Sequence, residues 1–300
     1  MKALAQFAMR GQWQAMFLTI AGAGSALFCW VSAAIIALVS LQQGPKWGGY
    51  LLFWALLPSG LLVYVYGDAG PLMLLVSAWL MASVLRLSGS LSTALLSAVP
   101  IGLVSGGVVV LFGQGYLEQL VALFDSFIAS VEQSMQGGAE IAFDRPTPLQ
   151  IAGILALSNA FAASASVLLG AYWQSSLYRP GLFGREYVRA VVPATTAIVL
   201  VVFAVAMVVA DMANGSWAAI FCVPLVFTGL GYVHARGRAK HKGKGYFTGF
   251  YVLWVVFDFI KLAVVGIALL DSVMGLRKQF LPSDSQGELD KTPTDHDKDL

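Results

Sequence analysis

Asp258 and Lys261 have the most distinctive chemistry in this sequence, because they interrupt an apolar segment at 246–270. A charge inside a membrane span is costly, and it normally pairs with an opposite charge or faces a water-filled cavity. At a spacing of i and i+3 the two side chains lie on one face of a helix and can neutralise each other. The pattern predicts an internal ion pair or a helix break near the surface. The alternative is a buried polar feature that contacts a substrate or a coupling ion.

Asn159 is a second candidate, because it lies in a segment that has no charged residue between Pro146 and Tyr178. Its amide can bond across helices, cap a kink or contact a ligand. The same segment carries a ladder of small side chains at every fourth position, which allows another helix to approach closely. The ladder is Ala152, Ala156, Ala160 and Ser164. We predict helix packing along the ladder, and we name Asn159, Asp258 and Lys261 as hypothetical substrate-binding residues.

A loop rich in aromatic and basic residues follows that segment. Tyrosine and tryptophan suit the membrane interface and arginine suits the cytoplasmic side, so anchoring explains most of its composition. A Pro-Gly pair within it specifies a tight turn, which favours a docking surface for a partner. The residues predicted to anchor or dock are Tyr172, Trp173, Gln174, Tyr178, Arg179, Pro180, Gly181, Phe183 and Glu186.

The signatures of soluble enzymes are missing from the sequence. It contains no G-x-x-x-x-G-K-[ST] loop, no G-x-S-x-G elbow and no H-E-x-x-H pair. Its two cysteines, Cys29 and Cys222, form neither a disulfide framework nor a metal-ligand spacing. We predict no catalytic residue, no metal and no cofactor. A net charge of only +2 also gives no support for nucleic-acid binding.

The elements that must position these residues are membrane helices. Hydrophobic residues make up 58% of the chain, charged residues only 11%, and the mean hydropathy is +0.76. A helix needs about 20 apolar residues to cross a hydrocarbon core about 30 Å thick. The segments that read as spans are 48–66, 71–85, 91–112, 148–174, 190–210, 215–233 and 246–270.

The apolar run at 13–41 has too few residues for two crossings, which need about 40. We predict a short or re-entrant helical hairpin that is broken near 28–32. Such a hairpin would line the interior of the bundle, because non-helical backbone at membrane depth must be covered by protein or by a water-filled cavity. One long tilted helix with an outside N-terminus is the alternative.

Lysine and arginine in short loops mark the cytoplasmic side. The basic cluster at 236–244 therefore predicts a cytoplasmic loop. Counting spans backwards places 179–189, Arg86 and Lys46 on the cytoplasmic side, and Asp68 and the connection at 113–147 outside. Arg277 and Lys278 suggest that the tail lies on the cytoplasmic side, whereas seven full crossings would put it outside. A segment at 246–273 that doubles back would reconcile the two, so the side of the tail is left open.

Two parts of the chain differ from the spans. In the 113–147 connection, Glu118, Asp125 and Glu132 recur every seven residues on a helix whose other face is apolar. This predicts an extracytoplasmic amphipathic helix and loop, acting either as a lid or strut or as a substrate gate. The acidic segment 281–300 predicts a disordered tail. The remaining chain, 1–280, forms one integral membrane domain. Asp211 and Asp271 are interpreted as marking span ends at the interface.

The motif Y-W-Q-x-x-L-Y-x-P-G-x-F-x-x-E at 172–186 resembles the YybS-like family of bacterial multipass membrane proteins, whose function is unknown. Val84-Leu85-Arg86 and Leu270-Asp271-Ser272 with Arg277 also match the family. The resemblance covers nearly the full length, without the tail. It implies a helical bundle in the bacterial inner membrane.

Residues 33–49 are similar to the short second helix and Gly-Pro-x-x-Gly turn of the substrate-binding components of energy-coupling-factor transporters. The resemblance covers about a fifth of the chain. It implies a bundle that binds a small molecule and borrows an ATPase and a coupling subunit. The extra spans, the long outer helix and the acidic tail depart from that six-helix component.

The sequence thus predicts an all-α, polytopic transmembrane helical bundle with seven to nine membrane segments, including the short N-terminal hairpin. We expect a transporter-like protein of the bacterial inner membrane that binds a small molecule and contacts the lipid bilayer. A membrane or ATPase subunit is the expected partner. The alternative is a non-transporting assembly or interaction protein whose cytoplasmic loops recruit partners.

Overall fold

The computed structural model describes residues 2–134, 143–210 and 215–279, and within these ranges it contains helices and no β-strand. The predicted all-α class is therefore confirmed. The helices are α1 (Lys2–Ala8), α2 (Gln12–Ala23), α3 (Cys29–Gln43), α4 (Pro45–Tyr66), α5 (Gly70–Ser88), α6 (Leu91–Leu96), α7 (Ala98–Phe112), α8 (Gln114–Ser134), α9 (Pro148–Tyr178), α10 (Leu182–Arg189), α11 (Ala194–Val209), α12 (Ser216–Ala239), α13 (Lys244–Val256) and α14 (Asp258–Met274), with a final 3-10 turn at Leu276–Gln279.

Five helical segments among the described residues are long and apolar enough to cross a membrane: α4, α5, the joined α6–α7, α9 and α12. The pairs α10–α11 and α13–α14 would raise the count to seven, although they bend by 67° and 114°. A multipass helical bundle is therefore supported, while the count of seven to nine segments stays a prediction.

Helix α3 lies at the centre of the bundle, in contact with α2, α4, α5 and α9. Residues 33–38 expose none of their surface. A helix of 15 residues is about 22 Å long, which is too short to cross the hydrocarbon core. The surrounding helices bury residues 32–41 of α3, so a short helix is tolerated here.

The chain folds back on itself at residues 24–28. Ser32 Oγ donates a hydrogen bond of 2.9 Å to the Thr19 carbonyl oxygen, joining α3 to α2. A Cβ atom at Gly22 would lie only 2.3 Å from the same hydroxyl, so the two helices need a glycine there. These contacts exclude one continuous helix over 13–41. The break of the hairpin lies before Cys29, slightly earlier than predicted.

The small-residue ladder of α9 packs against two glycines of α7, as expected for close helix packing. A Cβ atom at Gly102 would lie 3.0 Å from the Ala160 Cβ, and one at Gly106 would lie 2.7 Å from the Ala156 Cβ. Ala152, Ala156, Ala160 and Ser164 are all buried. The predicted packing role of the ladder is confirmed.

Hydrogen bonds between segments that are distant in the sequence show which loops and helix ends lie together at each end of the bundle. At one end, Arg86 Nη1 donates to the Leu41 carbonyl oxygen at 2.6 Å. At the other, Trp217 Nε1 donates to the Leu149 carbonyl oxygen at 2.9 Å. The grouping agrees with the sides assigned from the sequence, so we call these the predicted cytoplasmic end and the predicted outer end.

The amphipathic helix of the 113–147 connection is α8, which lies against α7 and α9 at the predicted outer end. Arg145 contacts Asp125 and Glu132 at 3.8 and 3.7 Å and so ties the end of the connection back to α8. The predicted tail at 281–300 and Asp211 lie outside the described residues.

Candidate functional site

A cavity of about 460 Å³ lies at the predicted outer end, between the N-terminus of α3, the α4–α5 loop, α7, the first turn of α8 and α9. We call it the outer cavity. Most of its walls are apolar, including Leu74, Val108 and Phe112. Its polar lining residues are Asp68, Ser105, Tyr116, Ser158 and Asn159. A mainly apolar cavity with a few convergent polar groups is typical of a small-molecule site.

Asn159 forms the deep polar part of the outer cavity. Its side chain is 9% exposed, and its Nδ2 donates a 2.9 Å hydrogen bond to Ser77 Oγ on α5. Its Oδ1 is buried and has no partner in the described part of the chain. A buried acceptor without a partner costs about 1–3 kcal/mol. The bond to Ser77 explains how α9 holds the amide at the edge of the outer cavity.

Asp68 and Tyr116 form the mouth of the outer cavity. The Tyr116 hydroxyl lies beside the Asp68 carboxylate, and Asp68 Oδ1 accepts the Gly70 backbone N–H at 2.8 Å. Burial, followed by the neighbouring Asp68 charge, raises the pKa of Tyr116, so this phenol keeps its proton at neutral pH. Gly67, at φ 73°, ends α4 in a left-handed turn that brings Asp68 beneath α8.

The predicted pair of Asp258 and Lys261 does form, with Lys261 Nζ 2.6 Å from Asp258 Oδ1. It is not buried, however, because the Asp258 side chain is 91% exposed and that of Lys261 is 41% exposed. The pair lies just after the bend at Phe257, where α14 begins. Asp258 and Lys261 therefore form an exposed ion pair beside a helix break. This agrees with the predicted helix break near the surface.

Lys261 borders a second, larger cavity of about 900 Å³, which we call the apolar cavity. It lies between α9, α11, α12 and the α13–α14 bend, and its lining is apolar except for a few groups. Lys261 Nζ also lies 5.8 Å from the ring centroid of Trp254. Asn159 lines the outer cavity and Lys261 the apolar one, so the hypothetical substrate-binding residues do not form one site.

The predicted docking loop contains the expected tight turn. Gly181 has φ +85°, and Ser175 Oγ accepts the Phe183 N–H and donates to the Arg179 carbonyl oxygen, both at 2.9 Å. Tyr172 and Phe183 pack edge to face with 5.9 Å between ring centroids. The exposed members of the set are Tyr172, Tyr178, Arg179, Pro180, Gly181 and Glu186.

Two members of the predicted docking set instead hold the bundle together. Trp173 is 1% exposed, so it is a core residue and cannot touch a partner. Gln174 Nε2 donates to the Leu41 carbonyl oxygen and to Gln42 Oε1, both at 3.1 Å, and thereby joins α9 to the end of α3. Sequence patterns place both residues at a helix end, but only packing shows which face they occupy.

A polar cleft of about 420 Å³ lies beside this turn at the predicted cytoplasmic end. We call it the cytoplasmic cleft. It is lined by Arg86, Gln174, Arg179 and Glu186, together with apolar side chains of α5, α6, α9 and α10. Its charged rim is the part of the docking loop that remains accessible.

The most strongly bonded charged group in the described chain lies elsewhere, at Arg277, which is 4% exposed. Its Nε lies 2.6 Å from Asp271 Oδ2, and its backbone N–H donates to Asp271 Oδ1 at 2.8 Å. Gly275, at φ +63°, makes the turn that returns Arg277 to Asp271. Asp271 is 1% exposed and lies in the last turn of α14, so its predicted position at the end of a span agrees with the helix, and this ion pair allows the carboxylate to be buried.

Arg277 also bonds to the break between α10 and α11. Its Nη1 donates to the Val188 and Ala190 carbonyl oxygens at 2.8 Å, and Nη2 donates to Thr228 O at 3.1 Å. The last carbonyls of α10 lack intrahelical donors, as at any helix end. A cation near a helix C-terminus is also favoured by the helix dipole. The pair therefore stabilises a broken helix inside the bundle.

From the sequence, Asp271 is interpreted as the end of a span and Arg277 as a sign of the side of the tail, but the two residues are not paired. The available signal was an aspartate, a glycine and an arginine within seven residues at the end of an apolar span. Among the residues the structure describes, no group of three or more His, Cys, Asp or Glu side chains could hold a metal ion.

The outer cavity, the apolar cavity and the Asp271–Arg277 pair are thus three separate features of one helical bundle. Comparison of this chain with protein-family models, with curated proteins and with solved structures finds no match. The resemblances to the YybS-like family and to the transporter components therefore stay predictions. The geometry described above supports a multipass helical membrane protein with a candidate ligand cavity.

Proposed function

We propose that this protein is a transporter-like protein of the bacterial inner membrane that binds a small molecule in the outer cavity. The observation that carries the proposal is the outer cavity itself, which has a volume of about 460 Å³ and mainly apolar walls. A few polar residues, Asp68, Ser105, Tyr116, Ser158 and Asn159, converge on it, as is typical of a small-molecule site.

The position of the outer cavity supports uptake from outside the cell. Its mouth lies at Asp68 and Tyr116, in loops that the charge distribution predicts to be extracytoplasmic. The first turn of α8 lies over this mouth, as a lid or gate would. The central α3 forms part of the wall through Cys29, which links the cavity to the most buried helix.

Binding is tested with purified protein in lipid nanodiscs, screened against a metabolite library by thermal shift and native mass spectrometry. Asn159→Leu removes the acceptor and fills the cavity, so we expect it to abolish the shift given by any true ligand. Cys222→Leu is the matched control, because Cys222 lines the apolar cavity. Loss of binding in the Cys222 variant but not in the Asn159 variant would refute this site.

The second candidate function is a non-transporting assembly protein, and the cytoplasmic cleft favours it. Arg179 and Glu186 lie exposed on the rim of a polar cleft beside a defined turn. Such a surface suits a charged segment of a partner subunit, including an ATPase or its coupling subunit.

That function is tested by crosslinking and affinity purification from the native membrane. The double variant Arg179→Ala/Glu186→Ala should lose a stoichiometric partner, whereas the exposed Lys242→Ala should keep it. If both variants recover the same proteins in the same amounts, the cleft is not a docking surface.

A further inference from the structure

The polar groups of the outer cavity differ in what they have left to offer a ligand. Asn159 uses its Nδ2 on Ser77 and leaves Oδ1 free. Ser105 donates its hydroxyl proton to the Gly102 carbonyl oxygen at 2.8 Å, which leaves the lone pairs of Oγ. The Tyr116 phenol lies beside the Asp68 carboxylate. Acceptors, among them the Asp68 carboxylate and the lone pairs of Ser105, therefore remain on these walls.

The charge that lines the outer cavity is negative, and so it also favours a ligand that donates hydrogen bonds. Its lining includes the carboxylate of Asp68 and, among the described residues, no lysine, arginine or histidine. Only Oδ1 of that carboxylate accepts the Gly70 N–H. A carboxylate that faces a partly apolar cavity binds a cation more strongly than it would in water, because the local dielectric is lower.

Helix N-termini border the cavity, and free N–H groups at such ends would favour an anion. At α5 most of these groups are already used, and the contacts of the described residues leave only the Leu72 N–H. Gly70 N–H donates to Asp68, Pro71 has no N–H, and Met73 N–H donates to the Ala69 carbonyl oxygen at 2.9 Å. An anion would therefore find few donors.

The N-terminus of α3 shows the same saturation. The N–H groups of Cys29, Val31 and Ser32 donate to carbonyl oxygens of the turn at Ser25 and Phe28. The N-termini of α5 and α3 therefore supply few of the donor groups that an anion needs.

From these observations we infer that the outer cavity takes an organic cation, a molecule with a protonated amine and an apolar body. The inference rests on the proposed function, because it assumes that this cavity is the ligand site. The ammonium group donates to the Asp68 carboxylate, and the apolar body packs on Leu74, Val108 and Phe112. A bare metal ion is disfavoured because one carboxylate is too few hard ligands.

The test compares matched probes on the full-length protein in nanodiscs. The amines are butylamine, phenethylamine and 1,4-diaminobutane, each paired with the alcohol and the carboxylate of the same skeleton. We expect at least one amine to bind, and to bind about tenfold or more tightly than its alcohol, as a charge-assisted hydrogen bond implies. Tighter binding of an alcohol or a carboxylate would overturn the inference while leaving the proposed function intact.

Variants assign the effect to named atoms. Asp68→Asn keeps a side chain that can cap α5 but removes the charge, so amine affinity should fall about tenfold or more. Asn159→Asp presents only acceptors to the cavity and should strengthen amine binding. Glu118→Gln, an exposed carboxylate two positions from Tyr116, is the control and should change nothing.

Two results would contradict the inference. One is an amine affinity that Asp68→Asn and Asn159→Asp both leave unchanged. The other is a full panel in which no amine binds although the metabolite screen finds an Asn159-dependent neutral or anionic ligand. The second result separates a wrong ligand class from a wrong ligand site.

Discussion

Arg277 lies 2.6 Å from the carboxylate of Asp271 and at the same time donates to the two carbonyl oxygens at the end of α10. One guanidinium thus neutralises a buried acid and satisfies a broken helix. Transporters use interrupted helices with satisfied backbone ends at membrane depth. In this chain the Asp271–Arg277 pair lies beside the end of α10, which the sequence assigns to the cytoplasmic side, whereas the mouth of the outer cavity lies at the predicted outer end.

Asp271→Leu should destabilise the protein by about 3–5 kcal/mol, because it leaves the Arg277 charge buried without its partner. The double variant Asp271→Leu/Arg277→Met should lose less than the sum of the single changes. The measurement is a double-mutant cycle of unfolding free energies in nanodiscs. Lys278→Met is the control, because Lys278 is exposed, and equal losses in Asp271→Leu and Lys278→Met would refute the role of the pair.

Gly106→Ala should destabilise the α7–α9 contact by about 1–3 kcal/mol, the usual cost of overpacking. Its new Cβ atom would lie 2.5 Å from a ring carbon of Trp217 and 2.7 Å from the Ala156 Cβ. Gly107→Ala is the matched control, because nothing lies within 4 Å of the corresponding position. The control should be neutral or stabilising by up to about 1 kcal/mol. Equal melting temperatures for the two variants would contradict the close packing.

Ser77→Ala should cost about 1–3 kcal/mol, because the Asn159 Nδ2 group then loses its acceptor. Adding Asn159→Leu should recover part of that loss, since no buried amide then remains. Thermal melts of the two single variants and the double variant check this coupling. Strictly additive losses would show that the bond between α5 and α9 contributes nothing.

Cysteine labelling checks the predicted sides of the membrane in a variant whose Cys29 and Cys222 are replaced by alanine. Cysteines at Lys46 and Lys242 should react with an impermeant maleimide only after the membrane is opened. A cysteine at Asp144 should react from outside in intact cells. A cysteine at Lys46 that is labelled from the periplasm would contradict the hairpin at the N-terminus.

The 114° bend at Phe257 predicts that the chain after α14 returns to the side it came from. A cysteine at Lys278 should therefore be labelled from the same side as one at Lys242. Arg277 already contacts the end of α10, next to the basic residue Arg189 that the sequence assigns to the cytoplasmic side. Labelling of Lys278 from the opposite side would show that α13 and α14 form one full crossing.

The candidate site was only partly predictable. Asn159 was recognisable as a polar residue in a charge-free span, but its bond to Ser77 joins positions 82 residues apart. From the sequence, Asp68 is interpreted only as a charged loop residue and Trp173 is placed at the membrane interface, although the structure shows that Trp173 is buried. Which face of a helix is covered depends on neighbours that a local pattern does not contain.

The sequence by itself determined the helical class and the apolar segments, because run length, glycine and proline act locally. It also showed that Asp258 and Lys261 can pair, since i and i+3 positions meet on any helix, whereas the structure decided between a hairpin and one long helix at 13–41. Only the tertiary structure decided that this pair is exposed and that Asp271 and Arg277 are buried. It also decided that Asp68, Tyr116 and Asn159 line one cavity, because these relationships arise from packing between helices that are distant in the chain.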